Sequence, residues 1–271
     1  MNNKYPQPIV VISRCLGFDS CRWDGTIVSY DHIKTLRRYV KFIPVCPELE
    51  IGLGVPREPI YIIERNGQQQ LIQPTTDKKL TRKMNTFANN YLKSLDHIDG
   101  FILKSRSPSC GIKDTKIFPD INAEKPLYKN TGIFASKVKQ LFPYLAIEDE
   151  KRLGYPKIKA QFLTKLFTLA AFCLVKKSHS TNKLINFHTQ NRLLLASYNQ
   201  RELNTLDKLV FNGNVIHKTL FPIYEEILFS LLQRNPKNVD ALKLAAKLKI
   251  KDLSTQTYFH AYPKELMTND D

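Results

Sequence analysis

The chain has 271 residues, 42% of them hydrophobic and 10% aromatic, enough to build a core for one large domain or two ordinary ones. That composition excludes wholesale disorder. Lys and Arg number 41 against 25 Asp and Glu, a formal net charge of +16. Such an excess calls for an anionic partner, nucleic acid before anionic membrane, with a merely soluble basic protein as the alternative. The longest apolar stretch, Leu166 to Val175, is about half of what spans a bilayer, so no membrane association is expected. The run Ile9 to Ile12 is too short for a secretory signal. Five cysteines, an odd number, do not form a disulfide framework in a chain of this length. The reducing cytoplasm is the expected compartment.

In chain order, Ile9-Val-Val-Ile-Ser13 reads as a strand, bounded by Pro8 and Gly17. A helical pattern follows from Asp31 to Val40, then a second strand, Phe42 to Cys46, with Pro44 arguing against a central place in a sheet. Thr81 to Leu95 is a longer helix that Thr81 can cap, and Gly100 to Lys104 is a third strand. Phe134 to Phe142 is helical, and Leu145 to Ile147 is the last strand of this half. Strands separated by helices predict an α/β fold with a parallel, Rossmann-like sheet. Beyond Pro156 the strand signals fade. Helical windows cover Ile158–Lys176, Asn182–Tyr198, Thr205–Val210, Ile223–Leu232 and Val239–Leu248, broken at Asn212-Gly213-Asn214 and Asn235-Pro236. The expected organisation is an α/β domain over 1–150 and an all-helical domain over 151–271. Charge divides unevenly, with net +6 in the first part and +10 in the second. Lysines cluster at Lys151 to Lys159, Lys176-Lys177 and Lys243 to Lys251, the composition of a module that grips phosphates. The plainer alternative is a solvated helix surface.

Cys15 follows the first strand, Cys46 ends the second, and Cys110 lies six residues beyond the third. In an open parallel sheet the loops past the carboxyl ends of the strands form the binding crevice, so these three cysteines can converge. Their spacing alone carries little, since no CxxC pair is present, and inert buried cysteines remain the alternative. Cys173 sits in an apolar run and reads as core.

The surroundings are more specific. Cys15-Leu-Gly-Phe-Asp-Ser-Cys-Arg-Trp-Asp-Gly25, Pro44-Val-Cys-Pro-Glu48 continuing to Arg57, and Lys104-Ser-Arg-Ser-Pro-Ser-Cys-Gly111 occur in this order. Together they resemble the TudS-type thiouracil desulfidase family over roughly residues 8 to 148. Phe187-His-Thr-Gln-Asn-Arg192, with the leucines after it, is similar to the helical domain of RudS-type two-domain proteins. The resemblance implies a 4Fe–4S cluster held by Cys15, Cys46 and Cys110, with one iron free of protein ligands. Thiolates suit such clusters, and a vacant iron is a Lewis acid for a soft thiocarbonyl sulfur. Activated water would then attack the carbon, and sulfur would leave without net redox change. Glu48, matching the family's Pro-Glu, is the candidate acid/base residue; otherwise it orders the turn or pairs with Arg57. Ser107 or Ser109 is expected to bind the heterocycle or donate a proton to it, Ser107 slightly preferred, against simple turn capping. Arg22, Asp24 and Lys104 fall within the motifs as substrate or phosphate contacts, with structural salt bridges equally open. Cys21 is left as a neighbour of the cluster, since a fourth ligand would close the open iron. His188 and Arg192 are candidate RNA contacts, a structural role for His188 being the alternative.

Three functions follow from these residues. The first is a desulfidase of 4-thiouridine in tRNA, with the basic helical domain holding the phosphates. The second is a desulfidase of free thiouracil or its nucleotide. The third is a non-catalytic RNA-binding or redox-sensing protein whose cysteines, Cys21 among them, hold zinc or a structural cluster.

Overall fold

A computed structural model describes residues 5–76, 78–211 and 217–234, together with 236–237, 248, 256 and 261–267. Two compact units emerge, one from the described residues of 9–162 and one from those of 163–267 with residues 5–8.

The first unit is α/β. In chain order it contains β1 (Ile9–Ser13), α1 (Asp31–Leu36), β2 (Lys41–Val45) and α2 (Pro47–Glu50). A hairpin follows of β3 (Tyr61–Arg65) and β4 (Gln68–Gln73), then β5 (Lys78–Lys79) and α3 (Thr81–Lys93). β6 (Gly100–Leu103), β7 (Thr115–Phe118), β8 (Tyr128–Asn130), α4 (Ile133–Leu141) and β9 (Ala146–Asp149) complete it. β2, β1, β6 and β9 lie side by side in that order, every pairing parallel. The parallel sheet expected from the sequence is therefore present. Val10, Val11 and Ile12 of β1 and Phe101, Ile102 and Leu103 of β6 are fully buried, as strands covered on both faces must be. Pro44 is accommodated because β2 is an edge strand, where a missing N–H breaks no ladder. Asp99 fixes the start of β1 by accepting the Ile9 N–H at 2.8 Å.

A second, five-stranded sheet was not anticipated. Its order is β5-β4-β3-β7-β8, antiparallel except where β3 runs parallel to β7. Its core face carries Ile62, Leu71 and Ile117, all fully buried. Thr81 does not cap α3. Its hydroxyl accepts the Leu71 N–H at 2.8 Å, tying the helix to β4, and Leu80 occupies the cap position. Met84, Ala88 and Leu92 form the buried stripe of α3, and Phe87 and Tyr91 pack on Phe134 of α4.

The second unit is built from α6 (Thr181–Tyr198), α7 (Gln200–Phe211) and α8 (His217–Leu232), with most of α5 (Pro156–Lys177). Phe172, Phe187 and Tyr224 form its aromatic centre. The division between the units falls inside α5, twelve residues beyond the expected 150/151 boundary. α5 has the length and hydropathy to cross a membrane, but half of its apolar window is buried in the protein, as in a core helix. The helix expected over Val239–Leu248 and the break at Asn212-Gly213-Asn214 lie outside the described residues.

Candidate active site

A cavity of about 760 Å³ opens in the α/β unit at the carboxyl ends of the parallel strands. Cys15, Cys46 and Cys110 line it, from the loops after β1, β2 and β6. Cys21 lines it too, and all four thiols are buried and unbridged. The neighbouring Cys15 thiol, together with burial, pushes the Cys21 thiol up to about 11. Hydrogen bonding to Cys21 and burial raise the Cys46 thiol, and burial raises that of Cys110. Protonated thiols in so dry a place are the form that metal binding displaces. Cys173 stands apart, about one turn from the C-terminal end of α5.

The loop carrying Cys110 is held by its backbone. The Ser107 hydroxyl accepts the N–H groups of Ser109 (3.1 Å) and Cys110 (3.0 Å), and the N-terminus of α4 grips the same loop. Ile133 N–H donates to the Pro108 carbonyl and Ala135 N–H to the Ser109 carbonyl, both at 3.0 Å. This approach requires Gly132, since a Cβ there would sit 2.6 Å from the Ser109 oxygen and 2.7 Å from that of Pro108.

Glu48 sits on α2, the single helical turn immediately after Cys46. Its Oε2 accepts from Arg57 Nη2 at 2.6 Å and Nε at 3.0 Å. Its Oε1 accepts from Ser109 Oγ at 3.0 Å and lies 3.4 Å from Ser107 Oγ. Glu48 thus pairs with Arg57, as one sequence reading expected, and it also lines the cysteine cavity. Arg57 also donates to the carbonyls of Cys21 and Gly54, so its guanidinium ties three loops together. Ser107 lines the cavity, whereas Ser109 is fully buried behind it and reaches only Glu48.

Lys104 lines the cavity and is bonded to Glu150 at 2.6 Å. Glu150 is itself fully buried and also accepts the N–H and hydroxyl of Ser105. Arg22 lines the cavity and bonds Thr26 at 2.7 Å. Asp24 does not line it. Its carboxylate accepts the Thr26 hydroxyl and N–H, which hold it below its ordinary range, and it shapes the turn that presents Arg22. His188 and Arg192 belong to the helical unit. The His188 ring is fully buried: Nε2–H donates to Asp207 at 2.7 Å, and Nδ1 accepts from the Tyr224 hydroxyl at 3.1 Å. Arg192 pairs with the same Asp207 at 2.9 Å. An RNA contact by His188 is thus corrected to a structural role, because a sealed ring with both nitrogens bonded has nothing to offer a ligand. Sequence reasoning passed over Glu150, and it saw Arg57 only as a partner. The pairing of Glu150 with Lys104 spans 46 residues and left no local signal.

The donor set fits an iron–sulfur group, with buried soft thiols on three separate loops around one cavity. Among the described residues no three His, Cys, Asp or Glu side chains gather as a single metal ion requires. A cluster binds its thiolates through different irons, so that requirement does not apply to it.

The structure thus defines the class of the protein as a parallel-sheet unit with a thiol-lined cavity at its strand ends. The family described as 2-thiouracil desulfurase matches residues 10–150, just over half of the chain. The uncharacterized protein YbbK of Bacillus subtilis (strain 168) is 32% identical over 113 residues, 38% of this chain and 73% of YbbK. The solved [4Fe-4S]-dependent thiouracil desulfidase TudS aligns with a TM-score of 0.42 at 20% identity, covering 55% of this chain and 94% of that one. The chain belongs to the 2-thiouracil desulfurase family.

Proposed function

We propose that the protein is a desulfidase of thiolated uracil, acting on 4-thiouridine in tRNA and returning uridine. The observation that carries the reading is the convergence of Cys15, Cys46 and Cys110 on one cavity with Glu48 and Ser107. Held by these cysteines, a 4Fe–4S cluster would supply an iron that takes the thiocarbonyl sulfur. Glu48 is the candidate proton acceptor: Arg57 and Ser109 both donate to it and fix its carboxylate at the cavity wall, where attacking water would meet it. Of the two motif serines, Ser107 is the one that lines the cavity, and it can pass a proton to the departing atom or hold the ring. Lys104 and Arg22 supply positive charge at the wall, Lys104 anchored on Glu150.

Two observations favour a nucleotide over a bare base. The cavity is roomy, and its lining carries eight Lys and Arg against two carboxylates, Glu48 and Asp114. The competing reading, a desulfidase of free thiouracil, draws on the description of the family. Cys15→Ala, Cys46→Ala and Cys110→Ala are each expected to lose iron and desulfidation, whereas Cys173→Ser keeps both. Iron per chain after anaerobic purification is the measurement, and a Cys46 variant with full iron would refute the assignment. Parallel turnover assays on thiolated tRNA and on free thiouracil separate the two substrates.

A further inference from the structure

Behind the cysteines, one wall of the cavity is the outer face of the second sheet. Strand register places Tyr61 of β3, Lys116 and Phe118 of β7, and Lys129 of β8 on that face, opposite the core face of Ile62 and Ile117. All four line the cavity. Tyr61 and Phe118 meet edge to face at 5.8 Å, and Tyr61 is 40% exposed. Trp23, 48% exposed and the only tryptophan of the chain, lines the same cavity.

The charges on this wall are arranged against the stability of the empty protein. Lys116 lies directly opposite Lys129 in the β7–β8 ladder. Like charges at directly opposed positions destabilise a sheet. Four of the eight cations in the cavity are paired: Arg14 with Glu50, Arg22 with Asp24, Arg57 with Glu48 and Lys104 with Glu150. Arg106, Lys116, Lys129 and Lys151 make no ion pair among the described residues. The nearby carboxylates are already engaged, Asp114 by the Arg106 N–H and Glu48 by Arg57 and the serines. Exposed aromatic rings beside unpaired cations are the two elements that hold a single strand, rings for bases and cations for phosphates.

We propose that this wall, Tyr61 and Phe118 with Lys116 and Lys129, together with Trp23 of the same cavity, binds the nucleotides flanking the thiolated base. The α/β unit then carries its own RNA grip in addition to any on the helical unit. The proposal rests on the desulfidase reading for its biological sense, but its test does not. Full-length protein is titrated with a fluorescently labelled decauridylate at several salt concentrations, and anisotropy is read. In the Lys116→Ala/Lys129→Ala double variant, affinity is expected to fall about tenfold. The slope of log affinity against log salt is expected to drop by about 1.4, two contacts at ~0.7 each on a single strand. Trp23→Ala and Tyr61→Ala each remove a stacking surface and are expected to weaken binding about tenfold. Lys129→Glu replaces a repulsive cross-strand pair by an attractive one and is expected to raise the melting temperature while weakening binding. Unchanged binding and slope in the double variant would overturn the proposal, as would a lower melting temperature for Lys129→Glu. Wild-type turnover of 4-thiouridine, measured separately, tests the desulfidase reading: its failure leaves the strand-binding result standing, and the reverse holds as well.

Discussion

Glu48 has one oxygen on a guanidinium and the other on two serine hydroxyls. Arg57 is almost wholly buried, its side chain 4% exposed, so the pair is removed from solvent screening. Loss of one partner from a buried pair costs about 3–5 kcal/mol, because the other is left uncompensated. Glu48→Gln keeps the shape and one acceptor but loses proton transfer. It is expected to slow desulfidation by about a hundredfold or more, the usual scale of acid/base help, while iron content is retained. Ser107→Ala should do the same, and Ser109→Ala, which touches only Glu48, should cost less. Single-turnover assays on thiolated RNA check this ranking; near wild-type rates for Glu48→Gln and Ser107→Ala would leave the reaction without its proton-transfer groups. The cysteines, Glu48 and Ser107 were legible because they fall in three short motifs that follow strand ends. What was not legible is which partner each charge takes. Lys104 and Arg22 were left open between substrate and salt bridge, and the fold shows each of them both paired and lining the cavity.

At the scale of elements, the parallel sheet could be read because its strands are β-branched runs buried on both faces. The second sheet could not, since its strands carry charged and amide side chains such as Gln68-Gln69-Gln70 and Lys78-Lys79. One signal was available. Asn66 and Gly67 both adopt positive φ, 51° and 73°, in the tight turn between β3 and β4, and Asn-Gly between alternating residues is a strong hairpin signature. The dependence of the cysteine loop on the N-terminus of α4 leads to a second prediction. Gly132→Ala forces a Cβ against two carbonyl oxygens. An overpacked site of this kind costs about 1–3 kcal/mol, so a lower melting temperature and reduced iron per chain are expected together. Wild-type iron in Gly132→Ala would show that the loop does not depend on this approach. In the helical unit, burial holds His188 below its ordinary 6.5, and bonds from Arg192 and His188 hold Asp207 below its ordinary range despite burial. Unfolding then takes up protons as the medium acidifies, so stability falls as pH drops below about 6.5. His188→Gln is expected to flatten the dependence of the melting temperature on pH between about 7.5 and 5.5; an unchanged slope would contradict the assignment.

For the whole molecule, the excess of ten charges in residues 151–271 is less available than composition implies. Lys176 is held by Glu225, Arg192 by Asp207 and Arg234 by Glu202, while Lys159 is 6% exposed. Lys151 lines the cavity of the α/β unit. Lys177 remains without an ion pair among the described residues, and Lys243 to Lys251 lie almost wholly outside them. Fewer charges of the helical half are therefore free for phosphates than its composition implies, and the proposed RNA grip draws on the unpaired cations of the cavity as well. If phosphate contacts dominate, each neutralised phosphate releases counterion, and tRNA affinity must fall steeply with salt. With six contacts, going from about 50 to 200 mM salt is expected to cost about a thousandfold in affinity. Turnover of free thiouracil, a neutral base, should change little over the same range. Filter retention of thiolated tRNA at the two salt concentrations, alongside thiouracil turnover, measures both. Binding of tRNA that is indifferent to salt would remove the electrostatic grip and transfer the preference to the free base. A steep loss with unchanged thiouracil turnover would place recognition in the backbone of the polymer and chemistry in the cysteine cavity.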